Sequence, residues 1–159
     1  MKFEQVIDRH YQGVFVFALH LCKNKEDAED LTQHTFLTFA KKHLNLPSSV
    51  ELKPWLFKVC KNQFIDTYRK KTRFTHCEYE ALEVPQTVNP APSIGFDFDH
   101  ATQALLEVPV KYRAPLSLFL IEGFTYREIA DILNKPIGTI MSRISRGRDF
   151  LNTHLSATL

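Results

Sequence analysis

The sequence predicts an all-α fold of two small helical domains joined by a flexible linker, and three observations carry that expectation. Apolar residues recur at three-and-four spacing through the first seventy or so positions, the period of a helix with one buried face. The pattern then lapses, and the stretch VPQTVNPAPS places three prolines within ten residues. Beyond it, helical spacing resumes with strong start and stop signals. The implied division is a first domain over residues 1–75, a linker over 76–96 and a second domain over 97–159.

Phe3, Val6, Ile7, Tyr11, Val14, Phe15, Ala18, Leu19 and Cys22 define the first helix as amphipathic. KNKED breaks the pattern, and Asn24 or Lys25 precedes a second helix whose first turn is acidic (Glu26, Asp27, Glu29, Asp30), which suits the helix dipole. Its inner face is expected to hold Ala28, Leu31, Thr35 and Phe39, widened by Phe36 and Leu37. HLNLPSSVELK at 43–53 reads as a loop, and Pro54 fits a helix first turn. The helix over about 54–72 is expected to bury Trp55, Val59 and Phe64 or Ile65, leaving Lys58, Lys61, Asn62, Arg69 and Lys70 outward. Three helices with short connections make one small bundle.

After the linker, Phe98, Ala101, Ala104, Leu105 and Val108 suit a short helix ended by Pro109. A further helix covers about 110–121, with Pro115 past its first turn and Gly123 at its end. Thr125 and Glu128 form a capping box for the next, which turns inward Ile129, Ala130 and Leu133. Asn134–Lys135–Pro136 turns the chain, and Gly138–Thr139 opens a last helix with Ile140, Ile144 and Leu151 inward. That leaves Met141, Ser142, Arg143, Ser145 and Arg146 toward solvent, the face and the residue types with which a helix-turn-helix reads a major groove.

Composition narrows the function classes. With 44% hydrophobic and 24% charged residues, and no apolar run long enough to span a bilayer, the chain reads as soluble and cytoplasmic. Three cysteines without a CxxC pair argue against a disulfide framework, and His76–Cys77 is too small a set for a metal site. No catalytic constellation or cofactor loop stands out, and five glycines leave little room for one. The net charge of +2 hides a strong alternation. Residues 54–75 carry six basic groups against Asp66 alone, residues 76–107 carry six acidic groups and no Lys or Arg, and residues 108–159 are net +3. Two basic segments around an acidic one point to phosphate contacts at two separate places.

At this point the sequence resembles a family. PVKYRAPLSLFLIEGFTYREIADILNKPIGTIMSRISRGRDFL is similar to region 4 of the extracytoplasmic-function (ECF) sigma factors, the smallest sigma-70 proteins. DAEDLTQHTF at 27–36 and PWLFKVCKNQFIDTYRKK at 54–71 resemble their region 2. The resemblance implies a non-enzymatic initiation factor that binds core RNA polymerase, directs it to promoters and helps open the minus-ten element. It assigns polymerase contact, to the β′ clamp coiled coil, to Asp27, Asp30, Gln33 and His34, the last where relatives usually carry an acid. Minus-ten DNA falls to Lys58, Lys61, Asn62, Arg69, Lys70 and Arg73, with Asn62 lining a pocket for an extruded base beside loop 43–53. Minus-thirty-five DNA falls to Thr139, Met141, Ser142, Arg143, Ser145, Arg146 and Arg148, of which Arg143 and Arg148 suit phosphate or structural contacts. Met141 and Ser145 depart from the family's usual residues on that reading face. The implied partners are the polymerase core, including its β flap, promoter DNA and an anti-sigma factor, with no cofactor and no membrane insertion. The rival reading, a repressor or response-regulator output domain, leaves the basic helix at 54–71 without a purpose.

Overall fold

The computed structural model describes residues 2–72 and 100–158. Within them lie seven α-helices: α1 (Phe3–Cys22), α2 (Lys25–Lys42), α3 (Leu52–Thr72), α4 (His100–Leu105), α5 (Val110–Leu120), α6 (Tyr126–Leu133) and α7 (Ile137–Thr158). A single 3-10 turn, His43–Asn45, follows α2. The expected linker at 76–96 lies outside the described residues, as do Arg73, His76–Cys77 and Phe98.

Helix α1 ends where Lys23 adopts a left-handed backbone (φ 54°) and returns its N–H to the Leu19 carbonyl at 2.7 Å. Asn24 is the cap of α2, its side chain accepting from the Asp27 N–H at 3.1 Å. That cap satisfies one of the open amides at the helix start. Helix α5 runs unbroken through Pro115, and Gly123 (φ +73°) lets the chain leave it so that the Phe124 N–H reaches the Leu118 carbonyl at 3.1 Å.

The two halves share one hydrophobic core. Helix α1 packs on α2, α3 and α5, and α3 packs on α1, α2 and α6. Every residue from Val14 to Leu21 is buried, so the amphipathic reading of α1 is corrected for its second half. A helix apolar on all sides is one surrounded on all sides. A chain of rings crosses between the halves: Phe17 to Phe57 at 5.4 Å, then Phe57 to Phe124 at 5.3 Å in an edge-on contact. This docking also shifts the buried face of α3. Leu56, Phe57 and Cys60 are its innermost apolar residues, while Trp55, Val59, Phe64 and Ile65 are half-buried. Burial pushes the Cys60 thiol well above its ordinary range, so it behaves as a small apolar side chain. Leu37, expected inside, is 51% exposed, because it follows Gln33 and His34 on the outer face of α2.

Two buried polar side chains at the junction, His20 and Arg113, are tied to groups around them, with Arg113 Nη2 left without a partner among the described residues. The His20 ring is fully enclosed; its Nε2–H donates to the Thr102 carbonyl at 3.1 Å, which leaves Nδ1 to accept from the Ser117 hydroxyl at 2.7 Å. Arg113, also enclosed, donates from Nε to the His20 carbonyl and from Nη1 to the Val108 carbonyl at 2.9 Å. Its burial lowers the guanidinium pKa to about 10, and the His20 carbonyl near the end of α1, with those of Val108 and Leu106, offsets part of that cost.

Candidate nucleic-acid interface

Helices α6 and α7 form the helix-turn-helix. The capping box is present in both directions: the Glu128 N–H donates to Thr125 Oγ1 at 3.1 Å, and the Thr125 N–H donates to Glu128 Oε1 at 3.0 Å. Asn134 closes α6 in the left-handed region (φ 54°), where its short amide side chain is tolerated, and the Lys135 N–H returns to the Ala130 carbonyl. Ile140 and Ile144 then anchor α7 in the core. Gly147 lets α7 lie close on α5, since a Cβ there would stand 2.9 Å from Leu116 Cδ2.

Outside that buried stripe α7 is open. Met141, Ser142, Ser145, Arg146 and Arg148 are exposed, and Thr139 and Arg143 are half-buried. Two of the arginines are already engaged within the protein. Arg148 sits 4.9 Å over the Phe119 ring, itself stacked on Tyr126 at 5.1 Å, which gives it a packing role. Arg146 bonds the Tyr112 hydroxyl, and that bond, helped by Lys111, holds the phenol below its usual pKa.

On the other half, Asp27, Asp30, Gln33 and His34 are all exposed on α2. Of the basic residues on α3, Arg69 and Lys70 are exposed, as is Asn62. Lys58 is partly exposed and pairs with Asp131 of α6 at 3.2 Å. Lys61 contradicts its expected outward placement: it is only 4% exposed. It follows Phe57 by one turn and Lys58 by three residues, and those two touch Phe124 and Asp131, so it lies on the side of α3 that faces the second half. Loop residues Val50 and Glu51, with Trp55 and Lys58, line a cavity of about 400 Å³ whose far wall is Thr125, Arg127, Glu128 and Asp131. Trp55 also meets Phe39 edge-on at 6.1 Å, in keeping with a packing role. Among the described residues no group of three His, Cys, Asp or Glu could hold a metal ion, and no helix is long and apolar enough to cross a membrane.

Sequence reasoning missed the contacts that hold the halves together. Lys53 is central to them: its ammonium lies 3.1 Å from Glu122 Oε2 and 5.0 Å from the centre of the Phe124 ring. Gly13 of α1 makes room for the same carboxylate. The available signal was the uninterrupted run VFVFALHL at 14–21, which one bundle face cannot cover.

Comparison with known proteins agrees with this geometry. Residues 6–74 match the family model for Sigma-70 region 2, and residues 101–151 match that for Sigma-70, region 4. The chain is 32% identical over 170 residues to the ECF RNA polymerase sigma factor SigE of Mycolicibacterium smegmatis, a match that covers 99% of this chain and 64% of that protein. It is 30% identical over 153 residues to SigM of Bacillus subtilis, covering 95% of this chain and 93% of that one. Among solved structures, the sigma factor RpoE of Bartonella quintana, in complex with the anti-sigma factor NepR, superposes with a TM-score of 0.73 at 28% identity, covering 97% and 96% of the two chains. CnrH, solved with the cytosolic domain of CnrY, shares the fold at a TM-score of 0.66 and 22% identity over 98% and 88%.

Proposed function

The chain belongs to the ECF RNA polymerase sigma factors of the sigma-70 family, and from that membership we propose how its own surfaces divide the work of initiation. Asp27, Asp30, Gln33 and His34 on α2 contact the polymerase β′ coiled coil, and the second half meets the β flap. Asn62, with loop 43–53, holds an extruded minus-ten base, while Lys58, Lys61, Arg69, Lys70 and Arg73 hold phosphates. Met141, Ser142, Ser145 and Arg146 meet minus-thirty-five bases, with Thr139, Arg143 and Arg148 supporting the backbone side. The work is done in the cytoplasm, where the polymerase is. The observation that carries this reading is that the basic edge of α3 and the open face of α7 lie on one chain in the order of regions 2 and 4.

Geometry adds a requirement. The two promoter elements lie about 25 base pairs apart, roughly 85 Å at 3.4 Å per step. A globular body of this length has a radius of gyration of about 15 Å. Joined as described, the halves cannot contact both elements, so they part on promoter binding, and Lys58 and Lys61 are released to DNA as α6 leaves α3. The solved complex of RpoE with NepR supports an anti-sigma factor as a further partner.

Run-off transcription with purified core polymerase tests the whole reading: specific transcripts depend on the chain, and failure to associate with core in a pulldown sinks it. Within it, Arg146→Ala weakens binding at particular minus-thirty-five bases by ~1–3 kcal/mol, whereas a uniform loss across sequences reassigns it to phosphate. Asn62→Ala impairs promoter opening more than closed-complex binding; equal effects on both steps remove it from the base pocket.

A further inference from the structure

Ile137 and Met141 are large apolar side chains left 44% and 49% exposed. They stand four residues apart in α7, so they share one helix face, one above the other. That face borders the buried stripe of Ile140 and Ile144, so the pair stands at the edge of the core at the start of α7, half out in solvent. Both lie within the first five residues of the helix, the part of a reading helix that meets base edges. Their immediate surroundings are small or hydroxylic: Gly138, with open space where a Cβ would be, and the exposed Ser142 and Ser145.

Neither side chain has a hydrogen-bonding group suited to the donor and acceptor pattern of a base edge. The major groove offers one apolar feature, the 5-methyl group of thymine. Resting on the reading of α7 as the minus-thirty-five helix, we propose that Ile137 and Met141 are specificity-determining residues that select thymine through its methyl group at one or two positions of that element. Ser142, Ser145 and Arg146 supply the hydrogen bonds beside them.

The test separates the methyl from everything else on the base. The full chain with core polymerase selects minus-thirty-five sequences from a randomised duplex library. Each thymine in the selected element is then replaced singly by deoxyuridine, which keeps every hydrogen-bonding atom and lacks only the methyl. Binding falls roughly fourfold at each read position, the ratio for burying one methyl-sized group. Met141→Gln or Ile137→Asn, both at exposed positions, then makes thymine and uracil equivalent there. Equal binding of thymine and uracil at every position, with the selected element otherwise intact, overturns the proposal while leaving α7 as a reading helix. Selection of no minus-thirty-five preference at all overturns the reading of α7 as well. If thymine and uracil bind equally but Met141→Gln loses affinity for core polymerase, the apolar pair serves a protein contact and the proposal falls.

Discussion

Replacing Gly13 by alanine is expected to loosen the joined arrangement without damaging either half. A Cβ at that position would stand 2.7 Å from Glu122 Oε1 and 3.3 Å from its Cδ. A free carboxylate would swing aside at little cost, but this one is held by the Lys53 ammonium, 3.1 Å from Oε2, and the same ammonium donates to the Glu122 carbonyl at 3.1 Å. The added methyl therefore displaces the carboxylate from its partner. Within α1 the substitution is favourable, since glycine in a helix interior costs ~1 kcal/mol relative to alanine. That gain applies whether the halves are joined or parted, so it cancels from the balance between them.

What remains is the loss of the ion pair. Its lysine side is 38% exposed and its glutamate side only 12%. It thus ranks above a surface pair, worth ~0.2–1 kcal/mol, and below an enclosed charged hydrogen bond, worth ~1.5–3 kcal/mol. A loss of about 1–2 kcal/mol lowers the ratio of joined to parted molecules roughly 5- to 30-fold. Energy transfer between dyes at Glu26 and Asp149, both exposed and on opposite halves, reads that ratio directly. Efficiency drops in Gly13→Ala while the thermal midpoint stays near that of the parent. Glu122→Gln produces a similar drop, and the double variant adds little, because both changes act through one carboxylate. Unchanged transfer in both single variants refutes the role given to this contact; full additivity shows that they act independently.

Other expectations follow from the same structure. Gly147→Val forces α7 off Leu116 and Tyr112 and lowers stability to urea by ~1–3 kcal/mol, whereas Gly138→Ala, with open space around it, leaves stability unchanged or raises it by up to ~1 kcal/mol. Thr125→Ala removes the reciprocal cap of α6 and costs ~1 kcal/mol, seen as faster amide exchange over Tyr126–Leu133. Burial, then Lys53 and Arg9, lower the pKa of His10 from its ordinary 6.5, with Glu122 pulling the other way. The unfolded chain therefore binds that proton more readily, so stability is full above pH 6.5 and declines as the pH falls below it. A urea midpoint measured across that range slopes less in His10→Gln; an identical slope removes His10 as its source.

How far the sequence could be read depends on how local each determinant is. Asn134 at the turn and the Thr125–Glu128 box act over three or four residues, and each was legible because its partner is a near neighbour. Counting one apolar stripe on α1 found Val14, Phe15, Ala18 and Leu19 but passed over Val16, Phe17 and Leu21, although eight buried residues in succession require partners on every side. The docking of the halves was thus written in the sequence as an excess of apolar surface, without an address. Lys61 carried no such excess. A lysine on a basic helix is expected in water, and the side of α3 it lies on faces a half more than sixty residues away in the chain. The same distance explains why Lys58, assigned to DNA by its charge, sits instead beside Asp131. Charge identifies what a side chain can bind, while which ligand it holds depends on whether the halves are joined. If the basic edge of α3 holds promoter phosphate as proposed, Asp131 competes with it for Lys58, and Asp131→Asn strengthens DNA binding more at low salt than at high, where screening weakens both interactions.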